Sequence, residues 1–395
     1  MNTQHGFDKL LLIAALALLV LGALMVYSTT SVITPGMESR NITDELFYLK
    51  KHLFTMALGF VAMYAAYKLR RETLPTLALP LLCVAFVLLV LVFAPGIGVT
   101  AGGARRWLRL WPSTFQPSEL VKFAMVIFLA WLLSREWFSI ALPAHCAVPV
   151  GAMLIFQGVF LLQPDFGAAM SLGVLTVSML FVAGARRAHM GALVLMAVPG
   201  VIWLLRTPYR MKRLLSFLDP WENRHEGAFQ LMQSYIALDA GGFSGVGLGE
   251  SRQKLDFLPE VHTDFIFSVV GEEMGFMAAV FVVGLFVFVF HRGLAIAARA
   301  RDPFGQYAAF GLSLMIALQS IVNICVITGL LPTKGLPLPF ISYGGSALLI
   351  NMAAVGLLLN YSRPQGDPEV DGRLDELTAR ITRKKARRAV YGAPL

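Results

Sequence analysis

Charged residues are scarce in this chain of 395 residues: 14% are Asp, Glu, Lys or Arg, whereas 57% are hydrophobic. Soluble globular domains carry about 25% charged residues, so the composition excludes an ordinary soluble protein and indicates an integral membrane protein. The net charge of +9 would suggest a nucleic-acid partner for a soluble protein. In a membrane protein the distribution of charge decides its meaning, and we expect no nucleic-acid partner.

Cysteine is also scarce. The chain has three, Cys83, Cys146 and Cys325, and all fall in apolar segments. Their spacing fits neither a disulfide framework nor a metal site. We therefore expect them to pack as small hydrophobic side chains.

Long apolar runs dominate the sequence and predict an all-α polytopic membrane protein with about ten transmembrane helices. A run of about 20 apolar residues is long enough to cross the hydrocarbon core as a helix. The first run is too long for a secretory signal and lacks a cleavage pattern, so we expect it to be retained. The predicted spans are residues 9–29, 50–68, 75–95, 117–134, 144–163, 165–184, 189–206, 264–291, 305–329 and 339–361.

We expect one membrane domain over residues 1–361, with a large outer loop at 207–263, and a cytoplasmic tail at 362–395. An even number of spans puts both termini on one side. The positive-inside rule makes that side cytoplasmic, because its connections hold the basic clusters. These clusters are Lys68 to Arg71, Arg135, Arg186–Arg187, Arg292 to Arg301 and Arg383 to Arg388.

The outer loop at 96–116 breaks the positive-inside rule. It carries Arg105, Arg106 and Arg109 around Trp107. Positive charge kept on the outer side suggests an anionic ligand, most simply a phosphate. The alternative is contact with anionic lipid headgroups, with tryptophan as an interfacial anchor.

The large loop at 207–263 is long enough to be functional. It adds further basic candidates, Arg210 and Lys212, and predicts short helices at Arg210–Leu218 and Gly227–Asp239. Its glycine run, Gly241 to Gly249, lacks the Gly-Lys-Ser/Thr ending of a phosphate loop. We expect tight turns there that let a substrate approach the backbone.

Three ionisable residues, Glu260, His262 and Asp264, stand where this loop enters the eighth span. Ionisable groups at a bilayer boundary are costly to desolvate and indicate a functional site. Asp264 is the deepest and is a candidate general base for a substrate hydroxyl. The alternative is that Thr263 or Asp264 caps the following helix.

Polar residues also interrupt other spans. Glu119 and Lys122 are three residues apart, so they share a helix face and can form a pair; alternatively, Glu119 caps the helix and Lys122 extends to the interface. Glu272 and Glu273 must face protein or water at their depth. The residues from Gln163 to Gly167 are typical of a turn.

The approach to the last span, Leu331 to Ser346, is rich in proline and glycine and includes Lys334. Irregular backbone near membrane depth is tolerated where it lines a cavity. We therefore expect this segment, the basic loop and the acidic segment to converge on the outer face.

Four segments together resemble the SEDS family, which comprises FtsW, RodA and SpoVE. They are Pro259 to Phe267, Gln116 to Lys122, Gln163 to Gly167 and Ile341 to Ser346, and the resemblance covers about residues 10 to 361. Leu331 to Leu336 and Asp219 to Glu222 are more similar to the cell-division branch than to the cell-shape branch.

The resemblance implies a peptidoglycan glycosyltransferase that polymerises lipid II on the outer face of the cytoplasmic membrane. Asp264 matches the essential aspartate of the family, the general base. Trp107 matches a functionally important tryptophan beside the outer cavity. Glu119 and Lys122 match a buried polar pair.

The implied substrates are lipid II and a growing glycan on undecaprenyl pyrophosphate. We expect substrate binding by Trp107, Arg105, Arg106, Arg210, Lys212, Glu260, His262 and Lys334. Basic side chains or a divalent cation, Mg²⁺ or Mn²⁺, would stabilise the leaving pyrophosphate. No protein metal site is predicted.

The resemblance also implies a class B penicillin-binding protein as the transpeptidase partner, together with other division proteins. Two alternatives stay open at this point. One is a flippase that moves lipid II across the bilayer, and the other is a non-catalytic division scaffold.

Overall fold

The computed structural model describes residues 6–30, 46–101, 104–110, 113–140, 142–205, 211, 215–222, 228–253, 263–333 and 335–364. Within these ranges the chain is almost entirely helical. The helices are α1 Lys9–Thr30, α2 Phe47–Lys68, α3 Thr73–Leu91, α4 Pro117–Leu133, α5 Pro143–Leu162, α6 Phe166–Val182, α7 Arg187–Leu205, α8 Phe229–Gly241, α9 Ile266–Arg299, α10 Pro303–Ile327 and α11 Gly345–Tyr361.

The predicted helical membrane fold is confirmed. Each of the ten predicted spans contains one helix, and α8 is the short loop helix expected at Gly227–Asp239. Five helices are long and apolar enough to cross a membrane by length and composition, and two shorter ones are apolar. The five are Lys9–Thr30, Thr73–Leu91, His145–Leu162, Ile266–Arg299 and Pro303–Ile327.

Helix α4 lies at the centre of the bundle. It packs against α3, α6, α10 and α11, and 14 of its 17 residues are buried. Because protein rather than lipid surrounds this helix, its polar residues can be satisfied by neighbouring side chains. Pro117 occupies its first turn, where the missing backbone N–H leaves no hydrogen bond unmade.

The outer segment predicted as a loop at 96–116 folds into a small sheet. Strands β1 (Gly98–Ala101), β2 (Ala104–Leu110) and β3 (Ser113–Phe115) pair antiparallel in the order β1-β2-β3. Ala104 and Leu108 of β2 are buried, as the two-residue period of a strand requires. This alternation is short and interrupted by arginines, which is why apolar runs alone did not predict the sheet.

Helix α9 is kinked at Gly275, whose φ of 76° lies outside the helical region. The glycine run after α8 packs into this kink: Val246 N–H donates to the Glu272 carbonyl at 3.0 Å, and Phe276 N–H donates to the Gly242 carbonyl at 2.9 Å. A Cβ on Gly245 would lie 2.2 Å from the Glu273 carbonyl oxygen. The expected tight turns are present, but the backbone that approaches Gly245 is that of α9, and an approach by substrate stays a prediction.

Opposite the sheet, a polar network joins the ends of several helices. Arg292 of α9 donates from Nε to Asp8 at 2.9 Å. Asn360 of α11 donates to the carbonyls of Tyr67 at 2.8 Å and Leu69 at 2.7 Å. Arg71 donates from Nε to Asn360 at 3.1 Å. This end therefore collects arginines that the sequence assigns to the cytoplasmic side.

Candidate functional site

A polar cavity of about 170 Å³ lies at the end of the bundle that carries the sheet. Three segments were expected to converge there: the basic loop, the acidic segment and the approach to the last span. The described residues of all three contribute to its wall. Its lining residues are Lys51, His52, Thr55, Trp107, Thr114, Gln116, Thr263, Pro337, Tyr343, Gly344, Gly345, Ser346 and Ala347.

The cavity faces the N-terminal ends of four helices. Lys51 stands in the first turns of α2, Gln116 precedes α4, Thr263 precedes α9, and Ser346 is the second residue of α11. The Gln116 N–H donates to Ser346 Oγ at 2.8 Å, which joins two of these ends. Helix N-termini carry partial positive charge, so with Lys51 they favour an anionic group in the cavity.

Trp107 reaches the cavity from the middle of β2. Its Cα pairs with Val99 of β1, next to an irregularity in the register between Val99 and Thr100. Leu108, the next residue, is 1% exposed and faces the protein. The strand period thus places the indole on the cavity side, where the resemblance expects this tryptophan.

Asp264 follows Thr263, which lines the cavity. Asp264 itself is half-buried and is not among the lining residues. The three residues after it, Phe265 to Phe267, are buried. Helix α9 begins at Ile266 with Phe265 at the N-cap, so neither Thr263 nor Asp264 occupies the cap position considered as the alternative. The carboxylate of Asp264 lies against Gly335, where an added Cβ would be 2.7 Å from Oδ2.

Glu119 and Lys122 form the predicted pair. Lys122 Nζ lies 2.9 Å from Glu119 Oε1, and their side chains are 3% and 4% exposed. Lys122 therefore does not extend to the interface, and Glu119 is engaged by the lysine. Neither residue lines the cavity, and a role of the pair at the site stays a prediction.

Glu272 and Glu273 are also satisfied by protein groups. Glu272 accepts from the backbone N–H of Arg252 at 3.0 Å and from the Ser251 hydroxyl. Glu273 accepts from the Ser28 hydroxyl of α1 at 2.6 Å and 2.7 Å. These carboxylates join Ser251, Arg252 and α1 to the N-terminal half of α9.

Two of the three arginines of β2 contact backbone carbonyls. Arg105 donates to the carbonyls of Phe93 at 3.1 Å and Ala94 at 2.9 Å. Arg106 donates to Gln163 at 3.3 Å and Pro164 at 2.6 Å. These contacts attach the sheet to the ends of α3 and α5, and neither arginine lines the cavity. Their binding of substrate stays a prediction.

The turn predicted at Gln163 to Gly167 is confirmed. Asp165 accepts from the backbone N–H of Ala168 at 3.1 Å and caps α6. Gln163 Nε2 donates to the Leu89 carbonyl at 2.8 Å. This segment is thus a structural corner that also receives Arg106.

Five predicted substrate-binding residues lie outside the described ranges: Arg210, Lys212, Glu260, His262 and Lys334. Four of the nine residues of the predicted helix at Arg210–Leu218 lie outside them as well, and residues 215–218 are helical as predicted. Across the part of the chain that is described, no group of three or more His, Cys, Asp or Glu side chains is arranged to hold a metal ion.

Several residues of the site were missed in the sequence. Lys51 and His52 were assigned to the start of a span, and Gln319, Asn323 and Asn351 to the apolar interior of two others. The structure places Lys51 and His52 on the cavity and the three amides directly behind it. Amide side chains spaced four residues apart within an apolar span were the available signal, because buried polar groups need partners.

Comparison with known proteins extends over most of the chain. The family covering FtsW, RodA and SpoVE, described as "Cell cycle protein", matches residues 8–366. The chain is 43% identical to the probable peptidoglycan glycosyltransferase FtsW of Geobacter sp. (strain M18), over 92% of this chain and 98% of that protein. It is 41% identical to the stage V sporulation protein E of Bacillus subtilis (strain 168), over 90% of this chain and 97% of that protein.

Two solved structures share the fold. A chain from the work described as "Structural coordination of polymerization and crosslinking by a peptidoglycan synthase complex" matches with a TM-score of 0.73 and 29% identity, covering 90% of this chain and 97% of that one. The rod shape determining protein RodA of Thermus thermophilus matches with a TM-score of 0.67 and 28% identity, covering 92% of this chain and 100% of that one.

Proposed function

The chain belongs to the FtsW/RodA/SpoVE family and is a peptidoglycan glycosyltransferase, and we propose that it polymerises lipid II with Asp264 as its general base. The resemblance drawn from its motifs is thereby confirmed. The cell-division names of its relatives support a role in septal cell-wall synthesis. The observation that carries the proposed mechanism is the position of Asp264 directly after Thr263, which lines a cavity that Lys51 also lines.

The proposed reaction is one displacement. Asp264 takes the proton of the 4-hydroxyl of the acceptor sugar in lipid II, and the freed oxygen attacks the anomeric carbon of the lipid-linked glycan. The new carbon–oxygen bond forms as the bond to pyrophosphate breaks, and the pyrophosphate leaves with the electron pair. One displacement inverts an α-linked donor and forms a β-1,4 linkage, so one carboxylate is sufficient.

The leaving pyrophosphate requires stabilisation of its developing charge. We assign this role to Lys51 and to the N-terminal ends of α2, α4 and α11, which face the cavity. Trp107 gives the cavity one flat apolar wall, against which a sugar ring can stack. A divalent cation held by the pyrophosphate itself stays a prediction.

We also propose that the cavity faces the outside of the cell and that both termini are cytoplasmic. Support comes from the arginines Arg71, Arg292 and Arg363, which lie in the polar network at the opposite end of the bundle. The positive-inside rule favours that end as cytoplasmic. Lipid-linked precursors would then meet the site from the outer leaflet.

A class B penicillin-binding protein is the proposed partner, because this chain has no assigned transpeptidase. The structural neighbour described as a peptidoglycan synthase complex supports an assembly of this kind. Other division proteins are proposed partners on the strength of the FtsW names of the relatives.

The test uses the full chain, purified with its cognate partner whose transpeptidase serine is replaced, and labelled lipid II in detergent. We expect wild type to form glycan polymer and Asp264→Asn to lose at least about 100-fold in kcat, since general base catalysis contributes about 10²–10⁴-fold. Asp165→Asn is the matched control: the same isosteric change, at an aspartate that caps α6, where asparagine caps equally well. Activity of Asp264→Asn equal to that of Asp165→Asn would refute the proposed base.

The same assay tests the flippase, which requires no polymer from wild type. A complementation assay in cells tests the scaffold, which requires Asp264→Asn to support division as the wild type does. In the described structure Glu119 and Lys122 are buried and bonded to each other. They therefore offer no open polar path towards the cytoplasmic end, which favours the glycosyltransferase.

A further inference from the structure

Asn323, inside α10, joins the two irregular segments that form the site. Its side-chain nitrogen donates to the backbone carbonyl of Asp264 at 2.8 Å and to that of Leu336 at 2.7 Å. The residue is 1% exposed. One buried amide therefore sets the distance between the start of α9 and the chain before α11.

The two carbonyls also fix the orientation of the amide. With its nitrogen and oxygen exchanged, the Asn323 side chain would place its oxygen against two acceptor oxygens. In the observed orientation, Oδ1 has no hydrogen-bond partner among the described residues. The side-chain nitrogen of Asn323 therefore makes both hydrogen bonds that connect the two segments.

Gln319 extends this contact by one helical turn. It is four residues before Asn323, so the two side chains share a face of α10. Its Nε2 donates to the Pro337 carbonyl at 3.2 Å, and its Oε1 lies 3.5 Å from Asn351 Nδ2 of α11. Two amides of α10 therefore bind the consecutive carbonyls of Leu336 and Pro337.

The bound segment touches the Asp264 carboxylate. Gly335 immediately precedes Leu336, and a Cβ at Gly335 would lie 2.7 Å from Asp264 Oδ2 and 3.6 Å from its Cγ. The Asn323 amide thus holds the main chain of Asp264 on one side and, through Leu336, the backbone that confines its carboxylate on the other. A shift of either segment would move the carboxylate relative to the cavity.

We propose that Asn323 is a positioning residue that keeps the Asp264 carboxylate in place for proton abstraction. The inference rests on the proposed function of Asp264 as the base. A displacement of about 1 Å in a reacting group can reduce the rate about 100-fold. The effect falls on kcat, because both hydrogen bonds of Asn323 go to the backbone carbonyls of the two segments that position the base.

The test compares Asn323→Leu with Asn360→Leu, in the complex with the partner and with labelled lipid II. Asn360 is a matched control: it is a buried asparagine, 2% exposed, whose amide also donates to backbone carbonyls, at the opposite end of α2. We expect Asn323→Leu to lose about 100-fold in kcat with KM within threefold of wild type. Asn360→Leu, measured per folded molecule, should keep kcat within threefold.

Asn323→Gln is the second variant. It keeps the amide donor on a side chain that is longer by one methylene. We expect its kcat to be at least tenfold higher than that of Asn323→Leu. If Asn323→Leu does not fold, Asn323→Ser takes its place, with the same expected split between kcat and KM. Folding is checked by thermal unfolding of each purified complex.

Three results would overturn the inference: a wild-type kcat in Asn323→Leu, an equal loss of kcat in Asn360→Leu, or a loss that appears in KM alone. Each is distinguishable from failure of the proposed function, because Asp264→Asn is measured in the same experiment. If Asp264→Asn loses activity and Asn323→Leu keeps it, the result supports Asp264 as the general base and refutes the positioning role of Asn323.

Discussion

Replacing Gly335 with alanine would place a methyl group directly against the Asp264 carboxylate. The added Cβ would lie 2.7 Å from Oδ2, 3.6 Å from Cγ and 3.9 Å from Oδ1. Gly335 does not have the positive φ that excludes side chains, so alanine can adopt its backbone conformation. The substitution therefore acts on the carboxylate rather than on the backbone.

The size of the displacement follows from these distances. Ordinary contacts of a Cβ begin at 3.4 Å. Either Asp264 Oδ2 or the backbone at residue 335 must therefore move by 3.4 − 2.7 = 0.7 Å. Since the obstructing atom ends a half-buried side chain, we expect unfolding free energy to change by less than about 1 kcal/mol, the usual range away from the core. A misplacement approaching 1 Å can lower the rate about 100-fold.

The assay measures kcat and KM for glycan formation from labelled lipid II, together with the thermal unfolding midpoint. Gly167→Ala is the matched control. Its added Cβ would contact Leu336, the residue after Gly335, at an ordinary 3.6 Å, and alanine is favoured over glycine in a helix. We expect Gly335→Ala to lose about 10- to 100-fold in kcat, and Gly167→Ala to remain within twofold.

An unchanged kcat in Gly335→Ala would refute the reasoning, because the carboxylate could then be displaced without effect. Equal losses in both variants would also refute it, since they would show general strain in this region. A loss that coincides with a lower unfolding midpoint would assign the effect to stability instead.

Two further predictions concern charges on either side of the cavity. Glu119→Gln or Lys122→Met alone should destabilise the protein by about 3–5 kcal/mol, because each leaves one buried charge unpaired. The double variant should cost less than either single change; additive costs in a thermal-unfolding cycle would contradict a coupled pair. Lys51→Met should lower kcat about 10- to 100-fold, since a hydrogen bond to a charged group contributes about 1.5–3 kcal/mol and the leaving pyrophosphate gains charge in the transition state. Lys68→Met, at the other end of the same helix, is the control, and an equal kcat in both variants would remove Lys51 from the site.

Much of the membrane fold could be predicted from the sequence. Each apolar run became a helix, since a segment crossing the hydrocarbon core must satisfy its backbone hydrogen bonds internally. The pairing of Glu119 with Lys122 followed from their three-residue spacing. The capping turn at Asp165 was likewise local, because its acceptor bonds a backbone N–H three residues on.

Other features were not predictable because they depend on contacts between distant segments. The sheet at Gly98–Phe115 was hidden in a loop whose arginines suggested a ligand. Arg105 instead bonds the carbonyls at the end of α3. A guanidinium binds carbonyls and phosphates with the same donors, so its residue type alone does not choose between them.

The sequence by itself determined the class of protein, the places of the apolar helices and the acid that precedes the eighth predicted span, because hydrophobicity and spacing act over a few turns. Only the tertiary structure decided which side chains share the cavity, since apolar helices offer each other similar surfaces and their partners depend on packing. Lys51, Trp107 and Ser346 come from distant parts of the chain and meet on one wall. The contact between Asp264 and Gly335 arises because the amide of Asn323 holds two irregular segments together.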